Sequence, residues 1–175
     1  MKEKDILNLL KTFKEMESNF YEPIGHYVFE FGRIEHWIDV ALSNLMNVNH
    51  HKVGRYPLHE IDFLARVKLL RVLARGSGSD IEAELKAATN EMEEQNTFRN
   101  NLVHGPWVAY LGVENPNGAW QKPGLSRRFH STYFTVSLSD IKTKTDRLPL
   151  LMSEINQLVE RITTLRIAQD SPNVP

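Results

Sequence analysis

At 175 residues with 41% hydrophobic content, the chain is long enough to build one domain with its own core and too apolar for a disordered tail, so a single domain is expected over 1–169, with a frayed end at 170–175. Lys plus Arg number 21 against 22 Asp plus Glu, for a formal net charge of −1; this excludes a surface built to coat nucleic acid broadly, and any such contact has to be local. Cysteine is absent, which removes disulfides and thiolate metal sites.

The chain opens on the charged run Met1-Lys2-Glu3-Lys4-Asp5, and no apolar stretch of membrane-spanning length follows. A cytoplasmic protein with no membrane partner is expected. Ile6, Leu9, Leu10, Phe13, Met16 and Phe20 mark a first amphipathic helix, which Pro23 separates from a second or kinks into it. That second helix runs from Glu22 to Met46 with Ile24, Val28, Phe31, Ile38, Leu42 and Leu45 on its apolar face. Residues 47–57 read as a loop. Ile61, Leu64, Val67, Leu70 and Leu73 give a third helix that stops at Gly76-Ser77-Gly78-Ser79, where Ser79-Asp80 is placed to cap the fourth. The fourth carries Ile81, Leu85, Ala88 and Met92 at four-three-four spacing and ends at Gly105-Pro106. From Trp107 to Val136 the pattern turns strand-like, over 107–113 and 129–136, with an Asn115-Pro116-Asn117-Gly118 turn between. A last helix starts near Ser139, with Pro149 either kinking it or starting its main part, and carries Ile141, Leu148, Leu151, Ile155, Leu158, Ile162 and Leu165. The expected class is all-α: an up-and-down bundle of four to five helices with an inserted β-hairpin at about 107–136.

The chemistry concentrates at the end of the fourth helix, in Phe98-Arg99-Asn100-Asn101-Leu102-Val103-His104-Gly105. At about 100° per residue, Arg99 falls on the same meridian as Ile81 and therefore points toward the core. Glu35 lies within about 20° of the middle of the second helix's apolar face by the same geometry. The two would satisfy each other as a charge-assisted pair. Two readings of that pair stand: a structural ion pair, or a carboxylate that fixes the Arg99 rotamer while part of its fork stays free for a phosphate. His104 reads either as a histidine that favours a helix C-terminus or as a proton-transfer group.

An arginine and a histidine five positions apart, with a polar residue after the arginine and helix on both sides, resemble the signature of the HEPN superfamily, whose active members cut RNA. Arg99, Asn100 and His104 carry the resemblance. It implies an all-α bundle that pairs through the helices bearing the motif, so that two Arg-His sets share one cleft. It also implies a metal-independent endoribonuclease with no cofactor, acting as a symmetric homodimer on RNA, with a toxin or phage-defence role and a possible cognate antitoxin. The branch with a tyrosine two places after the histidine does not fit, because Pro106 stands there.

Other clusters point less sharply. Trp107, Trp120, Lys122, Arg127, Arg128, Phe129 and His130 interleave aromatic and basic residues, the combination that stacks bases and tracks a single strand; caps over the bundle are the plainer reading. His50, His51, His59 and Glu60 lack the spacing of a metal site, and His26 with Glu30 does not make the Glu-x-x-His pair of a dimetal bundle. Two alternatives to the nuclease remain open: a non-catalytic HEPN-like dimer that binds nucleotide, RNA or a partner protein, and an all-α interaction module in which Glu35 and Arg99 only stabilise the core.

Overall fold

The structure is a computed structural model that describes residues 3–47, 58, 60–104, 108–109, 120–124 and 132–170. Among them stand four helices, α1 (Glu3–Leu45), α2 (Phe63–Leu73), α3 (Ser79–Val103) and α4 (Leu138–Asp170), so the class is all-α. None of these helices is long and apolar enough to cross a membrane. Pro23 does not divide the first two expected helices: it lies inside one continuous α1. Proline lacks only its own N–H, and a helix with other turns on both sides can carry that loss as a local defect. Pro149 sits inside α4 in the same way.

The helix ends have identifiable causes. Asp62 caps α2, its Oδ1 accepting from the Leu64 N–H at 3.0 Å. Past Ala74 the chain turns through Gly76 and Gly78 at φ 84° and 104°, a region that glycine enters without a Cβ clash. Ser79-Asp80 does not cap α3. Ser79 is already its first residue, the Gly78 carbonyl accepts from the Glu82 N–H at 3.0 Å, and the Glu82 carboxylate reaches back to the Gly76 N–H at 2.8 Å. At the start of α4, Ser137 and Asp140 form a reciprocal capping box: Asp140 N–H donates to Ser137 Oγ at 3.1 Å, and Ser137 N–H donates to Asp140 Oδ2 at 2.8 Å.

Between α3 and α4 the expected hairpin of 107–113 with 129–136 is not supported: among the described residues, 108–109 and 132–136 are not paired with each other. Strand β1 (Val108–Ala109) pairs antiparallel with β2 (Trp120–Gly124), and β2 pairs with β3 (Thr132–Val136), so the first and last strands have a third between them. Pro123 belongs to β2 and stands opposite Tyr133 of β3 in register. The 115–118 turn and the 171–175 tail lie outside the described residues.

The chain divides into two compact units. The first comprises 1–30 and 97–146, the second 31–96 and 147–175. In the first, Phe20, Tyr27, Phe98, Leu102, Val136 and Ile141 are buried. The second holds the larger apolar set, with Phe31, Ile34, Ile38, Leu42, Leu70 and Leu85 among its fully buried side chains. Its charges tie the helices together. Arg71 of α2 donates to Thr89 Oγ1 at 2.6 Å and to Asn90 Oδ1 at 2.9 Å and pairs with Glu93, all on α3. Arg147 of α4 grips both Glu91 and Glu154, and Arg161 pairs with Glu84. Since Glu84 and Glu91 meet Arg161 and Arg147 in reversed order, α3 and α4 run antiparallel within this unit. Arg166 donates to the carbonyls of Leu45 and Leu73, the last residues of α1 and α2, so one cation serves two helix ends that have no further turn to bond them.

Candidate active site

Arg99, Asn100 and His104 all belong to the first unit, at the C-terminal end of α3. Nothing breaks that helix from Ser79 to Val103, and its last turn is closed by the His104 N–H donating to the Asn100 carbonyl at 2.9 Å. His104 is exposed, while Arg99 and Asn100 are half-buried. The Arg99 guanidinium donates from Nη1 to Asn100 Oδ1 at 3.1 Å, and its buried Nε has no hydrogen-bond partner. Among the described residues no carboxylate pairs with Arg99 inside its own unit.

Tyr27 completes the surroundings of Arg99. The phenol is fully buried, and its ring meets Phe98 edge-on at 5.1 Å between centroids. Burial pushes its hydroxyl far above the ordinary tyrosine range, and the Arg99 guanidinium draws it part of the way back. The phenol therefore stays a neutral dipole near a cation. On the other side of the chemistry, the Lys144 ammonium of α4 stands 6.0 Å from the Phe98 ring centroid. Neither Tyr27 nor Lys144 emerged from the sequence. Tyr27 was legible: counted as apolar, it opens the stripe Tyr27, Phe31, Ile34, Ile38, Leu42 and Leu45, all buried. Lys144 gave no signal beyond its place one turn after Ile141.

Glu35 is half-buried and lies in the second unit, so the expected pair with Arg99 would join residues of different units. The carboxylate that α1 buries deepest is one turn further on. Asp39 is 1% exposed and accepts from Arg66 Nη1 at 2.6 Å, with Arg66 itself 8% exposed. Arg66 stands among Phe63, Val67 and Leu70 on the buried face of α2, a position that the expected stripe through Ile61 and Leu64 put out of view.

The remaining candidates disperse. Lys122 and Trp120 are on β2, whereas Trp107, Arg127, Arg128, Phe129 and His130 lie outside the described residues, as do His50, His51 and His59. No group of His, Cys, Asp and Glu suited to a metal ion occurs among the described residues. A cleft of about 350 Å³ in the second unit is lined by Glu84, Glu91, Arg147, Glu154 and Arg161. These five charges are paired with one another, which leaves none of them for a ligand. No family model matches the chain, and no curated protein and no solved structure is similar to it.

Proposed function

We propose that the protein is a metal-independent endoribonuclease of HEPN type, in which Arg99, Asn100 and His104 form half of a site completed by a second copy of the chain. One observation carries the reading. Among the described residues of its unit, Arg99 bonds only a neutral amide, although buried or half-buried cations are ordinarily matched by carboxylates. A phosphodiester presents the missing negative charge and oxygens shaped for the guanidinium fork. His104, exposed on the same helix end, supplies an imidazole, the side chain most often used as a general acid or base.

The reaction then needs no further chemistry from the chain. One His104 takes the proton of a ribose 2′-OH, and O2′ attacks the adjacent phosphorus. The bond from phosphorus to O5′ breaks as the second His104 delivers a proton to the leaving oxygen. Arg99 from each protomer stabilises the charge that builds on the non-bridging oxygens, and Asn100 orients the fork that it already bonds. The products are a 2′,3′-cyclic phosphate and a 5′-hydroxyl.

The two-histidine scheme requires an isologous dimer burying well over about 1,000 Å². A cytoplasmic toxin or defence role with an antitoxin partner fits the activity. The test is cleavage of single-stranded RNA by the purified protein with and without chelator, alongside its mass by light scattering. Cyclic-phosphate ends from a dimer, unaffected by chelator, are expected. A monomer, or a clean dimer that cuts no RNA, returns the site to a binding role.

A further inference from the structure

Lys144 has an unusual situation for a lysine. It is half-buried on α4, one turn from the fully buried Ile141, and holding a long side chain still opposes its rotamer freedom. Such a cation ordinarily gains a carboxylate in return. Lys142, two residues earlier and exposed, has one, pairing with Asp146 at 2.7 Å. Lys144 makes no ion pair or hydrogen bond among the described residues. Its ammonium lies 6.0 Å from the centroid of Phe98, at the outer limit of a cation–π contact. Such a contact guides a charge without neutralising it.

Phe98 is not free to move away. Its ring abuts the fully buried Tyr27 edge-on, at 75° between planes, and its backbone is continuous with Arg99. The first unit thus carries Lys144 over Phe98 and Arg99 as the next residue of the same helix, with Arg99 near the Tyr27 phenol that the ring abuts, and among the described residues neither cation has a carboxylate in that unit. Elsewhere the chain's acids and bases nearly balance, so affinity for a polyanion must come from such local excess.

We propose that Lys144 is a second phosphate-binding residue of the RNA site, held over Phe98 so that its ammonium grips the phosphodiester neighbouring the one on Arg99. The inference rests on the nuclease reading and gives it a substrate of at least two consecutive phosphates, with single-stranded RNA favoured because its backbone can bend around the ring.

The test uses the full-length His104→Ala protein, which binds without cutting, and a single-stranded RNA oligonucleotide titrated at several salt concentrations. Each phosphate contact on a single strand contributes about 0.7 to the slope of log affinity against log salt. Adding Lys144→Met keeps the side chain's apolar stem on Phe98 and should reduce the slope by about 0.7, while Lys144→Arg should restore it and Lys142→Met should leave it unchanged. Arg99→Met in the same background reports on the site itself. If Arg99→Met lowers the slope and Lys144→Met does not, the role of Lys144 falls and the nuclease reading stands. If neither lowers it, or if the His104→Ala protein binds no RNA, both fall. Equal effects of Lys142→Met and Lys144→Met would reduce Lys144 to general surface charge and overturn the proposal.

Discussion

Two arginines in this molecule are held in opposite ways. Arg66, in the unit of 31–96 and 147–175, is matched at 2.6 Å by the buried Asp39; Arg99, in the other unit, bonds the Asn100 amide oxygen and no carboxylate among the described residues of that unit. An unbonded Nε does not separate them, since Arg66 Nε also lacks a hydrogen-bond partner. Charge compensation does. Around Arg66 the pattern repeats, with Arg71, Arg147 and Arg161 each on a carboxylate and Arg166 on two helix-end carbonyls. Arg99 has the neutral buried Tyr27 phenol near it, and the preceding residue, Phe98, has the Lys144 ammonium 6.0 Å from its ring centroid. Among the described residues, the arginines that tie helices together meet a carboxylate or helix-end carbonyls, whereas Arg99 meets a neutral amide.

The contrast is broken most directly at His104. Its side chain is exposed, so His104→Ala should leave the circular dichroism spectrum and the melting temperature in place. Cleavage should fall by about 10²–10⁴-fold, the usual worth of a general acid or base. Activity that survives the substitution would mean that the chemistry is elsewhere. The counterpart in the other unit is Asp39→Ala, which strands the Arg66 cation in the core and should cost about 3–5 kcal/mol in urea unfolding. Replacing both, as Asp39→Leu with Arg66→Met, should recover most of that loss, because no charge is then buried. A small cost for Asp39→Ala would show that the saturated pair is not what distinguishes this unit.

How much of this was legible follows from what each residue leaves in the sequence. Period-3.6 stripes placed α2, α3 and α4 to within a few residues, because each helix buries one face and polar loops bound it. The prolines were ambiguous: Pro23 reads as a boundary or as a kink, and the structure keeps it inside one continuous helix. Strand β2 was missed because Trp120–Gly124 contains both proline and glycine, the residues that ordinarily mark turns. At the candidate site, Arg99, Asn100 and His104 stood out through their spacing, and Tyr27 was hidden only by its neighbours Ile24 and Val28 being counted in its place. Asp39, one turn after Glu35 on the same helix, went unread although it is the more deeply buried of the two. Lys144 could not be found: a cation over a ring 46 positions away in sequence leaves no periodic trace.

Arg166 sharpens the comparison at a smaller scale. Among the described residues its fork donates to no carboxylate but to the Leu45 and Leu73 carbonyls, where two helix dipoles end. Arg166→Met should cost about 2 kcal/mol in urea unfolding, in the range of hydrogen bonds to charged groups. Arg166→Lys should recover only part, since a single ammonium lacks the planar fork that reaches two carbonyls at once. Full recovery by lysine would make the interaction one of charge alone.

The smallest expected effect lies in the Arg99 unit, at the start of α4. Hydrogen bonds from the Ser137 hydroxyl, and then from its backbone N–H, hold the Asp140 carboxyl below the usual aspartate range. A depressed folded value means that these bonds stabilise the protein fully above the unfolded pKa of about 3.9 and fade as pH falls through the lower folded one. Ser137→Ala should therefore cost about 1 kcal/mol at pH 7, an ordinary loss for a helix N-cap. The gap between the wild type and the variant should narrow below about pH 4, as Asp140 protonates and its carboxylate no longer gains from the hydroxyl. It should not close, because the Asp140 N–H still donates to the wild-type Ser137 Oγ when the carboxyl is neutral. Urea midpoints for both proteins at pH 7 and pH 3 measure the two gaps. A gap that stays constant would assign the cap's whole value to that N–H bond, and a gap that widens in acid would reverse the sign of the linkage and with it the capping box as drawn.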